Sequence, residues 1–172
     1  MPLLQRLFRD KPDPREAMRP LWHRVVEVSR EPEWYASCGV ADTVAGRFDM
    51  IAAVLSLVLL RIEHEPGCAP QSALLTELFV EDMDGQLREF GVGDVVVGKH
   101  IGKLMASLGG RLGAYRQALA EHEDAALEEA VRRNVTLVAG QAPQALAVRL
   151  RAFADRLADM PAAEILAGHL AR

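Results

Sequence analysis

The chain has 172 residues, 50% of them hydrophobic and 26% charged, which suits one well-filled domain and excludes whole-chain disorder. Lys+Arg 20 against Asp+Glu 24 leave a formal net charge of -4, without the cationic excess through which nucleic-acid modules bind phosphates. Aromatic residues make up 5% while Leu, Ala, Glu and Arg are plentiful, so the expected fold class is all-α.

Residues 3–9 form a short amphipathic piece with Leu3, Leu4, Leu7 and Phe8 on one side and Arg6 and Arg9 off it, before Lys11-Pro12-Asp13-Pro14 breaks it. We therefore read 1–12 as an N-terminal amphipathic segment and 13–172 as one helical domain. Residues 1–24 carry six basic and three acidic side chains, a local +3. Two fates are open to the segment: peripheral contact with an anionic membrane surface, or packing on the helices that follow.

Asp13 caps a predicted helix from Pro14 to about Arg30, whose inner face holds Leu21, Val25 and Val28. Pro20 kinks or restarts it, and Glu31-Pro32-Glu33 ends it. Beyond Gly39, Asp42 or Thr43 begins the most hydrophobic helix, near 42–65. Val44, Phe48, Ile51, Ala52, Leu55, Val58, Leu59 and Ile62 cover nearly its whole circumference, which predicts a central, buried helix. Pro66-Gly67 stops it.

The next predicted helix runs from Pro70 to Phe90, with a buried stripe of Leu74, Leu75, Leu78, Phe79 and Leu87 and an acidic side of Glu77, Glu81, Asp82, Asp84 and Glu89. A glycine corner at Gly91 and Gly93 leads to Asp94, which opens a long helix to about Ala120 bearing Lys99, Lys103, Arg111 and Arg116, with a bend expected at Gly109-Gly110. Glu121 to about Ala139 reads as a helix with acidic residues first and basic residues later, the order the helix dipole favours. Gly140 ends it, Pro143 opens another to about Asp159, and Pro161 opens a last short one. The expected architecture is a compact bundle of six or seven helices.

Motifs for chemistry fail one by one, so no catalytic residue, metal ligand or cofactor site is assigned. Gly93-Asp-Val-Val-Val-Gly98-Lys99-His100 matches a phosphate-cradling loop up to its last position, where His100 replaces the hydroxyl that holds magnesium. Gly91-x-Gly93 lacks the third glycine of a dinucleotide fingerprint, because residue 96 is valine. None of His23, His64, His100, His122 and His169 has an acidic residue three positions before it, so the di-iron pattern is missing. Cys38 and Cys68 stand thirty residues apart without a CxxC or CxH neighbour, which excludes a zinc cluster or disulfide framework and favours a reducing compartment. No G-x-S-x-G is present and Cys38 has no evident base.

The greasiest uncharged run, Met50 to Leu60, is eleven residues, about half of the roughly 20 that a bilayer crossing needs. The first ten residues lack the continuous hydrophobic core and cleavage site of a secretory signal, so the expected location is the cytoplasm. The 17 Arg to 3 Lys, with abundant Ala, fit a GC-rich bacterial genome.

Three strings then stand in order: Tyr35…Gly39-Val40-Ala-Asp42-Thr43-Val-Ala-Gly46-Arg47-Phe48-Asp49; Phe79-Val-Glu-Asp82-Met83-Asp84-Gly-Gln-Leu87-Arg88-Glu89-Phe-Gly91-Val92-Gly93-Asp94; and Val97-Gly98-Lys99…Met105…Gly110-Arg111…Tyr115. Together they resemble the ubiquinol–cytochrome c chaperone family, the assembly factors of respiratory complex III, over about residues 15–120. One departure is Ala41, where the family often has proline. Helices 121–172 carry no motif that the resemblance places. Mitochondrial relatives have a targeting extension, and its absence here is what a bacterial cytoplasmic protein would show.

The resemblance implies a non-enzymatic role: holding newly made cytochrome b, together with a small partner protein near the ribosome exit, until haem insertion and further assembly. A bacterial relative would work at the cytoplasmic face of the inner membrane, with no sequence-specific nucleic-acid binding. Membrane subunits emerge as apolar helices flanked by cationic cytoplasmic loops, so a holding surface calls for an exposed apolar groove rimmed with carboxylates. Glu77, Glu81, Asp82 and Asp84 are the expected rim, Met83 an adaptable apolar contact, and Lys99, Lys103 and Arg111 the facing basic surface. The remaining motif residues, Phe48, Gly91 and Gly98 among them, are expected to be structural: Asp42 as a cap, Gly46 for close helix approach, and Arg47 with Asp49 in a polar network with the Gly93-Asp94 corner. Two readings of other classes compete: a small metal- or cofactor-handling helical enzyme built on the His/Glu clusters, and a general membrane-peripheral scaffold.

Overall fold

The computed structural model describes residues 13–89 and 94–170, with side chains at 13–86 and 101–170. Leu3, Leu4, Leu7, Phe8, Gly91 and Gly93 lie outside the described residues, as do the side chains of Asp94 and Lys99.

The Asp13 carboxylate accepts from the Arg15 amide at 2.9 Å and starts a 3-10 turn, Pro14–Met18. Pro20 restarts the chain as α1 (Arg19–Ser29), where a first-turn proline sacrifices no helical hydrogen bond. α1 ends ahead of Glu31-Pro32-Glu33 as expected, and Pro32 then opens a separate single turn, α2 (Pro32–Ala36). That turn carries two aromatic side chains back over the end of α1. Trp34 Nε1 donates to the Val28 carbonyl at 2.7 Å and the Tyr35 hydroxyl to the Ser29 carbonyl at 2.9 Å, filling acceptors a helix end leaves open.

The hub is α3 (Val44–Glu63), in which every residue from Asp49 to Leu60 is buried. That is the consequence of hydrophobicity all round the helix: α1, α4, α5 and α7 all pack on it. Its cap is Thr43, whose Oγ1 accepts from the Gly46 amide at 3.2 Å. Thr43 is one of the two caps expected; Asp42, the other, pairs on the surface with Arg47 at 2.6 Å.

From α4 (Ala69–Glu89) the chain passes to α5 (Asp94–Ala120), which runs unbroken through Gly109-Gly110. Residues 94–100 of the apparent phosphate loop are thus the first turns of a helix and not a loop. The helix predicted to reach Ala139 stops earlier, as α6 (Ala125–Asn134). Val135 turns extended, and Val40 and Leu137 form an isolated antiparallel bridge. β-branched Val135 and Thr136 favour that change, and the backbone groups released find partners: the Thr136 carbonyl accepts from the Ala41 amide, and the Val138 amide donates to the Gly39 carbonyl, both at 2.9 Å. Gly140, at φ +82°, makes the turn.

The chain closes with α7 (Gln144–Asp159) and α8 (Ala162–Leu166). Arg61 of α3 donates to the carbonyls of Leu157 and Met160 at 3.0 and 2.9 Å, placing a cation on the C-terminal end of α7 where the dipole favours one. The described residues hold six helices of ten residues or more, two single α-helical turns and the 3-10 turn around one core, an all-α fold.

Candidate binding groove

The polar motif residues sort first by burial. The side chains of Asp49 on α3 and Arg111 on α5 are each 11% exposed and meet at 2.6 Å. The other Asp49 oxygen accepts from the Thr136 amide at 2.9 Å and the Thr136 hydroxyl at 2.7 Å, while Arg111 donates to the Asn134 carbonyl at 3.1 Å. Arg111 also donates to Ser107 Oγ and lies over the Phe48 ring, 5.6 Å from its centroid. Arg111 is therefore drawn inward and is not part of a basic docking surface, and Asp49 binds α5 and the 134–136 segment; of the Gly93-Asp94 corner expected to join it, Gly93 and the Asp94 side chain lie outside the described residues. Arg47, expected in that network, belongs to Asp42 instead.

Gly46 does permit a close approach, but of a loop: an added Cβ would run into the backbone carbonyl of Ala41. Tyr115, one turn on from Arg111, is fully buried, and its hydroxyl has no hydrogen-bond partner among the described residues. Burial pushes its pKa well above the ordinary phenol value.

On α4, the spacing of Ala73, Glu77, Val80, Glu81 and Asp84 places these residues along one face. That face borders a cavity of about 780 Å³ between α3, α4 and α5. Leu59, Val80, Ile101, Met105 and Leu112 supply its apolar surface, and Glu63, Glu77, Glu81 and Asp84 its carboxylates, with Arg15 at the edge. Met105 is 42% exposed, one of few large apolar side chains so open to water. Arg15 donates to Glu81 at 3.0 Å, and Arg116 holds Glu63 in a two-point contact at 3.0 and 2.8 Å that lowers the Glu63 carboxyl below its usual range.

The expected acidic rim thus divides. Glu77, Glu81 and Asp84 border the apolar groove and Asp82 does not, while Glu81 also lines the cleft on the other side. Asp82 lines a larger cleft of about 1350 Å³ between α1, α2 and α4, where Arg19, Arg24, Arg30 and Arg149 mix with Glu27, Glu31 and Glu33. Met83 is buried at 5% exposure and belongs to the core, so it offers no surface contact. The adaptable methionine of this groove is Met105, which sits in the third motif string and whose exposure no spacing argument reveals. Lys103 is exposed on α5. Among the described residues no three His, Cys, Asp or Glu side chains converge on a possible metal position, and no helix is long and apolar enough to cross a membrane.

Comparison with known proteins adds two matches. The solved crystal structure of the Cbp3 homolog from Brucella abortus resembles this chain with a TM-score of 0.79 at 30% sequence identity, covering 98% of this chain and 95% of that one. No curated protein matches. The family model described as Ubiquinol-cytochrome C chaperone matches residues 36–172, running past the motif strings through α6, α7 and α8. With that span, the chain belongs to the ubiquinol–cytochrome c chaperone family.

Proposed function

We propose that this chain is a non-enzymatic chaperone that holds unassembled cytochrome b for complex III assembly, and that its client-holding surface is the groove between α3, α4 and α5. The observation that carries the reading is the pairing of an open apolar surface with four bordering carboxylates, Glu63, Glu77, Glu81 and Asp84. A membrane subunit awaiting assembly presents apolar helix faces next to cationic cytoplasmic loops, and this surface complements both. Met105 is suited to such a client because an unbranched thioether adapts to differing helix faces. The reading places the protein at the cytoplasmic side of the inner membrane, where those loops emerge.

The test is crosslinked capture of cytochrome b from cells making either the native chain or Met105→Glu. The substituted side chain is already exposed, so folding should be retained while recovery of cytochrome b falls at least several-fold. A deletion strain should lose complex III with other respiratory complexes spared. Normal cytochrome b levels in that strain would overturn the proposal.

A further inference from the structure

We propose that Arg15 and Arg116 are specificity-determining residues of the groove: each occupies one bordering carboxylate, Glu81 or Glu63, and yields it to a cationic client, so that the hold on cations stays loose and apolar contact decides affinity. This role rests on the groove reading above. Glu63 belongs to α3 and Glu81 to α4, and each is gripped from another element. Arg116 of α5 meets both oxygens of Glu63 at 3.0 and 2.8 Å, and Arg15 of the 3-10 turn meets Glu81 at 3.0 Å. A cation arriving in the groove therefore finds these two carboxylates already paired. It gains an ion pair at either one only by displacing the protein's own arginine.

Three features keep that displacement easy. Both pairs are partly open to water, unlike Asp49–Arg111, and an exposed pair is worth a factor of about two to five in an equilibrium. Arg15 is not stranded when Glu81 turns to a client, because its Nε and Nη2 also hold the Asp13 carboxylate, at 2.6 to 3.0 Å. Arg116 is half-exposed, so its guanidinium passes to water when Glu63 is taken.

The consequence is for selectivity. A pair made with the client replaces a pair of the same kind, so flanking cations add little net affinity at these two positions. An apolar helix face gains its contact with Leu59, Val80, Ile101, Met105 and Leu112 whatever charges flank it. A surface that must later give up its client is served by this balance, because its border does not lock onto arginine or lysine. Removing either arginine should make the groove cation-selective.

The test uses the full chain and two labelled Leu-rich helical peptides, one flanked by arginines and one by glutamines. Arg116→Gln should tighten the arginine-flanked peptide about two- to fivefold at low salt and leave the glutamine-flanked peptide unchanged. In a Glu63→Gln background the same substitution should give no gain. Arg15→Gln and Glu81→Gln form a second cycle with the same expectation. Lys103→Gln removes an exposed α5 cation outside the groove and controls for net charge. An equal gain from Lys103→Gln overturns the proposal, as does the absence of a gain from both arginine variants or a gain that survives loss of the carboxylate.

The Arg116 Nε–H signal in heteronuclear NMR reads the exchange directly. Its protection from solvent should fall as the arginine-flanked peptide saturates the chain and persist with the glutamine-flanked one; protection kept with both overturns the proposal. Met105→Glu tests the groove separately and should weaken the glutamine-flanked peptide. That weakening without a gain from the arginine variants leaves the groove reading standing and overturns the selectivity role alone. Peptides that bind no variant, or that are indifferent to Met105→Glu, overturn both.

Discussion

Two arginines of α5 reach two carboxylates of α3, and the pairs have opposite characters. Asp49–Arg111 is closed, each side chain 11% exposed, and the Thr136 amide and hydroxyl and the Asn134 carbonyl complete its hydrogen bonding. Glu63–Arg116, toward the other end of α3, leaves its side chains 39% and 51% exposed beside the groove. Removing one partner of a buried pair strands a charge in low dielectric, whereas an exposed pair is worth at most about 1 kcal/mol and is screened by salt. The same residue types thus hold the architecture at one end of α3 and form a solvent-exposed pair beside the groove at the other.

The sharpest way to break this contrast is Asp49→Ala. It strands Arg111 and the Thr136 amide together, and should cost about 3 kcal/mol in urea unfolding. Glu63→Ala should stay within about 0.5 kcal/mol. Comparable losses at the two sites would show that burial does not separate them. Gly46→Ala comes next: the new methyl meets the Ala41 carbonyl, so the loop leading into α3 must move, at about 2 kcal/mol by the usual cost of overpacking. A thermal unfolding midpoint unchanged by that substitution would mean the loop is not held against α3.

How far the sequence discloses this contrast depends on whether its cause is local. The all-round hydrophobicity of residues 44–62 announces a buried hub, and the prolines and glycines that bound α3, α4 and α7 act within a few residues, so these helices are legible. The ion-pair partners are not. Arg47 and Arg111 look alike in the sequence, yet one lies on the surface with Asp42 and the other pairs with Asp49, 62 residues away. Thr136 was invisible as a ligand of Asp49 because the helix predicted to continue to Ala139 is ended by that tertiary contact and the Val40–Leu137 bridge. The α4 carboxylates were legible as a group but not their division, since Asp82 and Asp84 are two residues apart and point to different clefts. Met83 is buried and Met105 exposed for the same reason: which methionine meets water is settled by how the helices pack.

Tyr115→Phe sharpens the contrast from within the closed region, with a smaller effect of opposite sign. The buried hydroxyl has no partner among the described residues, and an unsatisfied group of this kind costs about 1–3 kcal/mol, so its removal should raise stability by about 1 kcal/mol. Burial raises the pKa of Tyr115, and burial together with the nearby Asp42 charge raises that of Tyr35. A phenol with a raised pKa in the fold leaves stability intact below about pH 10 and removes it above, because the unfolded chain ionises first. The native protein should lose thermal stability above that pH, and Tyr115→Phe should lose it less steeply. A destabilised variant would point to a hydrogen bond made through an ordered water.

Glu77→Lys is the mildest change for the fold and a direct test of the open region. Glu77 is exposed on α4 at the edge of the groove, so the substitution should leave urea stability within about 0.5 kcal/mol. Replacing one bordering carboxylate by an ammonium makes the rim less attractive to a cationic ligand, and exposed charges act mainly through screened, longer-range attraction. Binding of an arginine-flanked apolar peptide should therefore weaken a few-fold at low salt, with the difference from the native chain shrinking as salt rises. A loss that persists at high salt would mean that Glu77 makes a desolvated contact, and the border would then resemble the Asp49 site more than its exposure suggests.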